Sequence, residues 1–164
     1  RAAGAPGGVE AIADLAHELH DDGALLIFPE GGNVTPTRRR RRISALRAAG
    51  RHDLARRAES MPHVMPPHVG GVLAALEARP DAAVVVVAHA GLDRMVTAGD
   101  VWRSGPADRR IVLKRWAVDP ATIPAGRAER EAWLYEWWAR VDTWVAAQQP
   151  RVSAAALGGR AARG

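Results

Sequence analysis

The 164-residue chain contains no cysteine, which removes disulfide frameworks, thiolate metal sites and cysteine nucleophiles from consideration. Lys114 is its one lysine, so nearly all of its basic charge sits on arginine. No apolar run approaches the roughly eighteen residues of a membrane-spanning helix. The longest, "AAVVVVA" at residues 82–88, has the length of a strand. The chain opens on Arg1 rather than Met, with no charged leader followed by an apolar segment and a cleavage site. It therefore reads as lacking a signal peptide and as beginning within a longer protein. No internal repeat and no RNA- or DNA-reading motif is found in it.

What is present has the size of one domain with a single core. Apolar residues make up 48% and charged ones 25%, close to globular averages and unlike a disordered chain. The formal net charge is +5 and the pI about 11. Such a balance favours polyanionic partners: nucleic acid, an anionic membrane surface or phosphorylated small molecules.

Periodicity sketches an alternation of helices and strands. Val9, Ile12, Ala13, Leu15, Ala16 and Leu19 form a helical stripe over residues 9–21, ending at His20-Asp21-Asp22-Gly23. "ALLIF" (24–28), closed by Pro29, reads as a strand buried on both faces, as in a parallel sheet, with its preceding strand expected upstream of Arg1. Residues 38–60 look helical, punctuated by Gly50, and "MPHVMPPH" (61–68) must be extended because of its three prolines. A helix is predicted for 69–78, a second buried parallel strand for 82–88, and a half-exposed strand near an edge for 109–118. An amphipathic helix follows at 128–147, and the end, residues 150–164, reads as a disordered tail. The tryptophans Trp133, Trp137 and Trp144, with Val141, are spaced as a core-facing stripe.

A strand ending in Pro-Glu-Gly-Gly places a carboxylate and permissive backbone at the carboxyl edge of a sheet, where open α/β folds bind ligands. Glu30 there could orient a hydroxyl, pair with an arginine, or simply be a solvated strand exit. "FPEGG" (28–32) resembles the Phe-Pro-Glu-Gly-Thr signature of the glycerolipid acyltransferases, the lysophosphatidic acid acyltransferase superfamily. "NVTPTRRRRR", "MPHVMPPHVGGVLAAL", "AAVVVVAHA" and "IVLKRWAVDPATIP" resemble the segments that follow it in the lysophospholipid branch, so the likeness covers roughly residues 9–147.

The resemblance implies an α/β fold with a mostly parallel sheet flanked by helices, incomplete at its amino terminus, over residues 1–149. It implies an enzyme of phospholipid synthesis that moves a fatty acyl group from acyl-CoA or acyl carrier protein to a lysophospholipid hydroxyl, without metal or redox cofactor. Phe28, Pro29, Glu30 and Gly31 match the acceptor-binding motif, while Gly32 stands where the family has threonine. Arg1 lies where the family's earlier arginine block would end, as a phosphate ligand or as an incidental first residue. The family's His-x4-Asp pair, which deprotonates the acceptor hydroxyl, belongs upstream of Arg1, so this chain alone is expected to be an inactive fragment. The literal match His17 and Asp22 is a decoy: on a continuing helix five residues turn the side chains about 140° apart. The location implied is the cytoplasmic face of a membrane, peripheral or anchored by segments outside the chain.

Arg38, Arg39, Arg40, Arg41 and Arg42 form the strongest electrostatic feature, suited to lipid phosphates, coenzyme A phosphates or nucleic acid. Near an anionic bilayer each basic residue contributes about 1 kcal/mol. A nucleic-acid module is the competing class, with steeply salt-dependent binding, although few aromatics accompany the arginines and no nucleic acid is expected. His17 and His20 at i, i+3 lack a third metal ligand and read as a solvated helix face. His89 and Asp93 could pair after the second strand, and His63 and His68 are expected to line or cap the loop over the cleft.

Overall fold

Thr35 sets where the arginine-rich helix begins. Its backbone is extended, its hydroxyl oxygen accepts the Arg38 N–H at 3.2 Å, and Pro36 fills the first helical position, where an N–H would have no partner. In the computed structural model, which describes residues 8–91 and 111–161, this helix is α2 (Pro36–Ala48). It is preceded by α1 (Gly8–His17) and followed by α3 (His52–Glu59), α4 (Val69–Ala78), β1 (Val85–Ala90), β2 (Val112–Ala117) and α5 (Arg127–Ala161). At the end of α2 the Arg51 and Gly50 N–H groups donate back to the carbonyls of Leu46 and Arg47, the paired closure that frees the chain to turn into α3.

α4 begins Val-Gly-Gly, a poor helix start by propensity. Its reason is packing: a Cβ on Gly71 would come within 2.6 Å of Ile12 Cδ1, so the missing side chain lets α1 lie against α4. α5 is 35 residues long and supplies the centre of the core. Trp133, Leu134, Trp137, Trp138, Val141 and Val145 close against Leu54 and Ala58 of α3, Met61 and Val64 of the proline-rich segment, and Val86 and Ala88 of β1. Trp116 of β2 sets its ring edge-on to Trp137 and Trp144, with centroids 6.4 and 5.9 Å apart, a favourable aromatic arrangement.

The fold expected from the acyltransferase resemblance is not found. Among the described residues the sheet has two strands, and they run antiparallel in a register from Val85 opposite Ala117 to Ala90 opposite Val112. The described residues form no mostly parallel sheet between helix layers, and so do not have the α/β architecture expected. Residues 24–28 form neither helix nor ladder; Leu25 and Ile27 are half-buried while Ala24, Leu26 and Phe28 are exposed. β1 was expected to be buried on both faces, yet it alternates exposed and buried residues. The physical reason is that an uninterrupted apolar run marks a doubly covered strand only if a layer lies on each side. Here α5 covers one side of β1 and the described residues supply nothing for the other.

Candidate functional site

The Phe28–Gly31 stretch forms a tight turn closed by the Gly31 N–H to the Phe28 carbonyl at 3.1 Å. Gly31 sits at φ +64°, where a side chain is strained, and it faces the His68 ring. Three anchors hold the turn. The His68 N–H donates to the Pro29 carbonyl at 2.7 Å. Arg38 donates to the carbonyls of Gly31 and Asn33, each at 3.0 Å. Trp138 Nε1–H donates to Glu30 Oε1 at 3.3 Å, which ties the half-buried carboxylate to the core helix. Thus, of the sequence-predicted residues Phe28, Pro29, Glu30 and Gly31, Gly31 meets one arginine of the run, and the meeting is through its backbone carbonyl.

The five arginines divide by partner. Arg39 points inward and donates to the carbonyls of Ala58, Glu59 and Met61 at 2.6, 2.9 and 3.2 Å. It closes the carboxyl end of α3, where unmatched carbonyls gather. Arg42 reaches the Pro67 carbonyl at 3.4 Å, and its Nε is buried without a hydrogen-bond partner. Burial holds its pKa below the ordinary arginine value. Arg40 and Arg41 are exposed, with no ion pair or hydrogen bond among the described residues.

This division follows from the proline-rich segment. Pro66 and Pro67 are fully buried, and a buried irregular segment must find partners for its backbone polar groups. Its prolines have no N–H to satisfy; Arg39 and Arg42 take carbonyls, and Asp142 Oδ1 takes the His63 N–H at 2.6 Å. The second carboxylate oxygen of Asp142 lies 3.4 Å from His63 Nδ1. His63 therefore lies beside the buried Asp142, and His68 precedes α4 beside the Glu30 turn. Burial first, then the charges of Arg42 and Arg38, lower the His68 pKa, although the residue as a whole remains exposed.

Other sequence candidates do not converge. His17, His20 and Asp22 are exposed around the end of α1, and His89 faces out from β1 opposite Leu113. Arg1 and Asp93 lie outside the described residues. Sequence reasoning missed Asp142, Tyr135 and the Arg51–Glu131 ion pair. Asp142 had a readable signal: it lies four residues after Trp138 and three before Val145, on the apolar stripe, where an acid must be paired.

The acyl-transfer reading is corrected along with the fold. Among the described residues Glu30 has no sheet edge from which to present an acceptor, and their His–Asp pair, His63–Asp142, is a backbone clamp in the buried segment. No group of three or more His, Asp or Glu side chains suited to a metal gathers among the described residues. Nor is any of their helices long and apolar enough to cross a membrane. These features support neither an acyltransferase active site nor a place in phospholipid synthesis. No known protein family, curated protein or solved structure matches the chain.

Proposed function

We propose that this chain is a peripheral module that docks on anionic lipid surfaces through the start of α2 and the turn before it. The observation that carries this reading is the juxtaposition made by Arg38. Its guanidinium holds the Gly31 and Asn33 carbonyls, and so ties the start of α2, where Arg40 and Arg41 are exposed, to the turn that follows Leu26 and Phe28, which are 70% and 74% exposed. Exposed cations beside large exposed apolar side chains suit a bilayer surface, where phosphates take the charge and the acyl boundary takes the rings. Phosphate headgroups, those of lysophospholipids included, are the partner chemistry, and the cytoplasmic face of a membrane, where anionic lipids concentrate, is the location implied. Nucleic acid would accept the arginines but offers nothing to aliphatic Leu26.

The test is co-sedimentation with phosphatidylcholine vesicles, with and without phosphatidylglycerol. Binding is expected only to the anionic vesicles and is expected to weaken at high salt. The pair Arg40→Ala and Arg41→Ala should weaken it roughly thirtyfold, at about 1 kcal/mol per arginine. Equal binding to both vesicles, or a short RNA binding more tightly than the anionic vesicles, would overturn the reading.

A further inference from the structure

A cleft of about 280 Å³ opens between α2, α3 and α5, lined by Arg42, Leu46, Arg51, Leu54, Glu131 and Tyr135. The charges in it do not cancel. Arg51 and Glu131 form an ion pair with each other, which meets the one carboxylate of the lining. Arg42 is left as the uncompensated cation. A guanidinium carries five N–H donors, and the acceptor that the described residues give this one is the Pro67 carbonyl, at the long distance of 3.4 Å. Its Nε is sealed from solvent with no partner, so the terminal N–H groups are the donors that Arg42, as a lining residue, has for a ligand in the cleft.

We propose that this cleft binds a small monoanionic carboxylate with a compact apolar body, its carboxylate on Arg42 beside Tyr135. The charge count favours a single negative charge, since one guanidinium is unmatched. The planar fork of arginine fits a planar carboxylate with two parallel bonds. Leu46 and Leu54 in the lining give the ligand's hydrocarbon an apolar wall, and the volume lies just under the range of ordinary small-molecule sites. Inorganic phosphate, with more charge at neutral pH and no apolar part, leaves that wall unused. Tyr135 is 2% exposed, and burial pushes its phenol up to about 12, so it stays protonated and able to donate. The inference is independent of lipid docking, which uses Arg40 and Arg41.

Calorimetric titration of the whole chain with hexanoate, benzoate and inorganic phosphate tests it. Saturable one-to-one binding of a carboxylate is expected, with phosphate at least about tenfold weaker. Arg42→Gln should weaken carboxylate binding by roughly ten- to a hundredfold, the effect of losing a charge-assisted bond. Because that change also touches Pro67, a second variant, Ala45→Trp, fills the cleft from an exposed lining position of α2. It should abolish carboxylate binding while leaving the circular dichroism spectrum and vesicle binding as they were. No saturable carboxylate binding, phosphate binding of equal strength, or unchanged binding in the folded Ala45→Trp protein would each overturn the assignment.

Discussion

Trp137 and Trp138 of α5 are 9% and 8% exposed, whereas Phe28 and Leu26 on the irregular segment before α2 are 74% and 70% exposed, and Leu113 on β2 is 68% exposed. All are large apolar side chains in apolar stretches. The difference lies in how each kind of backbone finds cover. An α-helix satisfies its own hydrogen bonds and needs only neighbours for one stripe, and α3, the proline-rich segment and β1 provide them. An extended segment needs a pairing strand for its backbone and a layer for each apolar face. Residues 24–28 have no ladder, and the outer face of the β1–β2 pair carries Val85, Val87 and Leu113 uncovered by the described residues. Apolar composition thus states a need for cover without saying that it is met within the same chain.

The contrast can be broken most directly with a pair of leucines. Leu134 on α5 is 3% exposed, and Leu134→Ala should cost about 2–5 kcal/mol through lost burial and the cavity left behind. Leu113→Ala, on the uncovered face, should change stability by no more than about 0.5 kcal/mol. Urea unfolding of both variants measures this. If Leu113→Ala costs as much as Leu134→Ala, then the outer face of the two-stranded sheet is covered in solution and the two regions do not differ in kind.

A similar division runs within the arginine block, at smaller scale. Arg39→Met removes the donor for the carbonyls of Ala58, Glu59 and Met61, and should cost about 1–3 kcal/mol because part-buried acceptors are left unmatched. Arg40→Met, one residue on, should stay within about 0.5 kcal/mol of the parent, as exposed substitutions do. Thermal or urea unfolding of the two separates a structural cation from a surface one. Equal effects would mean that the run acts through its summed charge rather than through individual hydrogen bonds.

Local periodicity was informative where one element decides its own fate. The helical stripe from Val9 to Leu19, the helix expected at 69–78 and the tryptophan-bearing helix at 128–147 correspond to α1, α4 and α5, and the tryptophan stripe is the core that its spacing implied. The turn at Phe28–Gly31 was also legible as a turn. What failed was sheet direction, layering and the acyl-transfer site, which depend on a second segment. "AAVVVVA" has the composition of a parallel central strand, yet strand direction is set by the partner, and the partner here is β2, running the other way. The arginines read as one block because their sequence is uniform. Yet on a helix successive residues turn by about 100°, so neighbours such as Arg39 and Arg40 must face different surroundings. The cleft at Arg42 joins residues nearly a hundred positions apart, and no local pattern announces it.

The smallest expected effect concerns proton binding at His68, where the turn at Glu30 meets α2. Burial, then the charges of Arg42 and Arg38, lower the His68 pKa below the usual 6.5. The folded state therefore binds fewer protons than the unfolded chain once the pH drops below that value. Stability from this group is fully present above about pH 6.5 and declines as the pH falls through the window down to the folded pKa. Urea unfolding of the parent and of His68→Gln at pH 7.5 and pH 5.5, about one unit either side of that reference value, isolates the contribution. The parent should lose more stability on acidification than the variant. Every other group is unaltered in both proteins, so its contribution cancels in the difference. Parallel pH curves would show that His68 titrates as it does in the unfolded chain. They would place its ring in open solvent, away from the two arginines, and the turn at Glu30 would then be open on the side that His68 occupies.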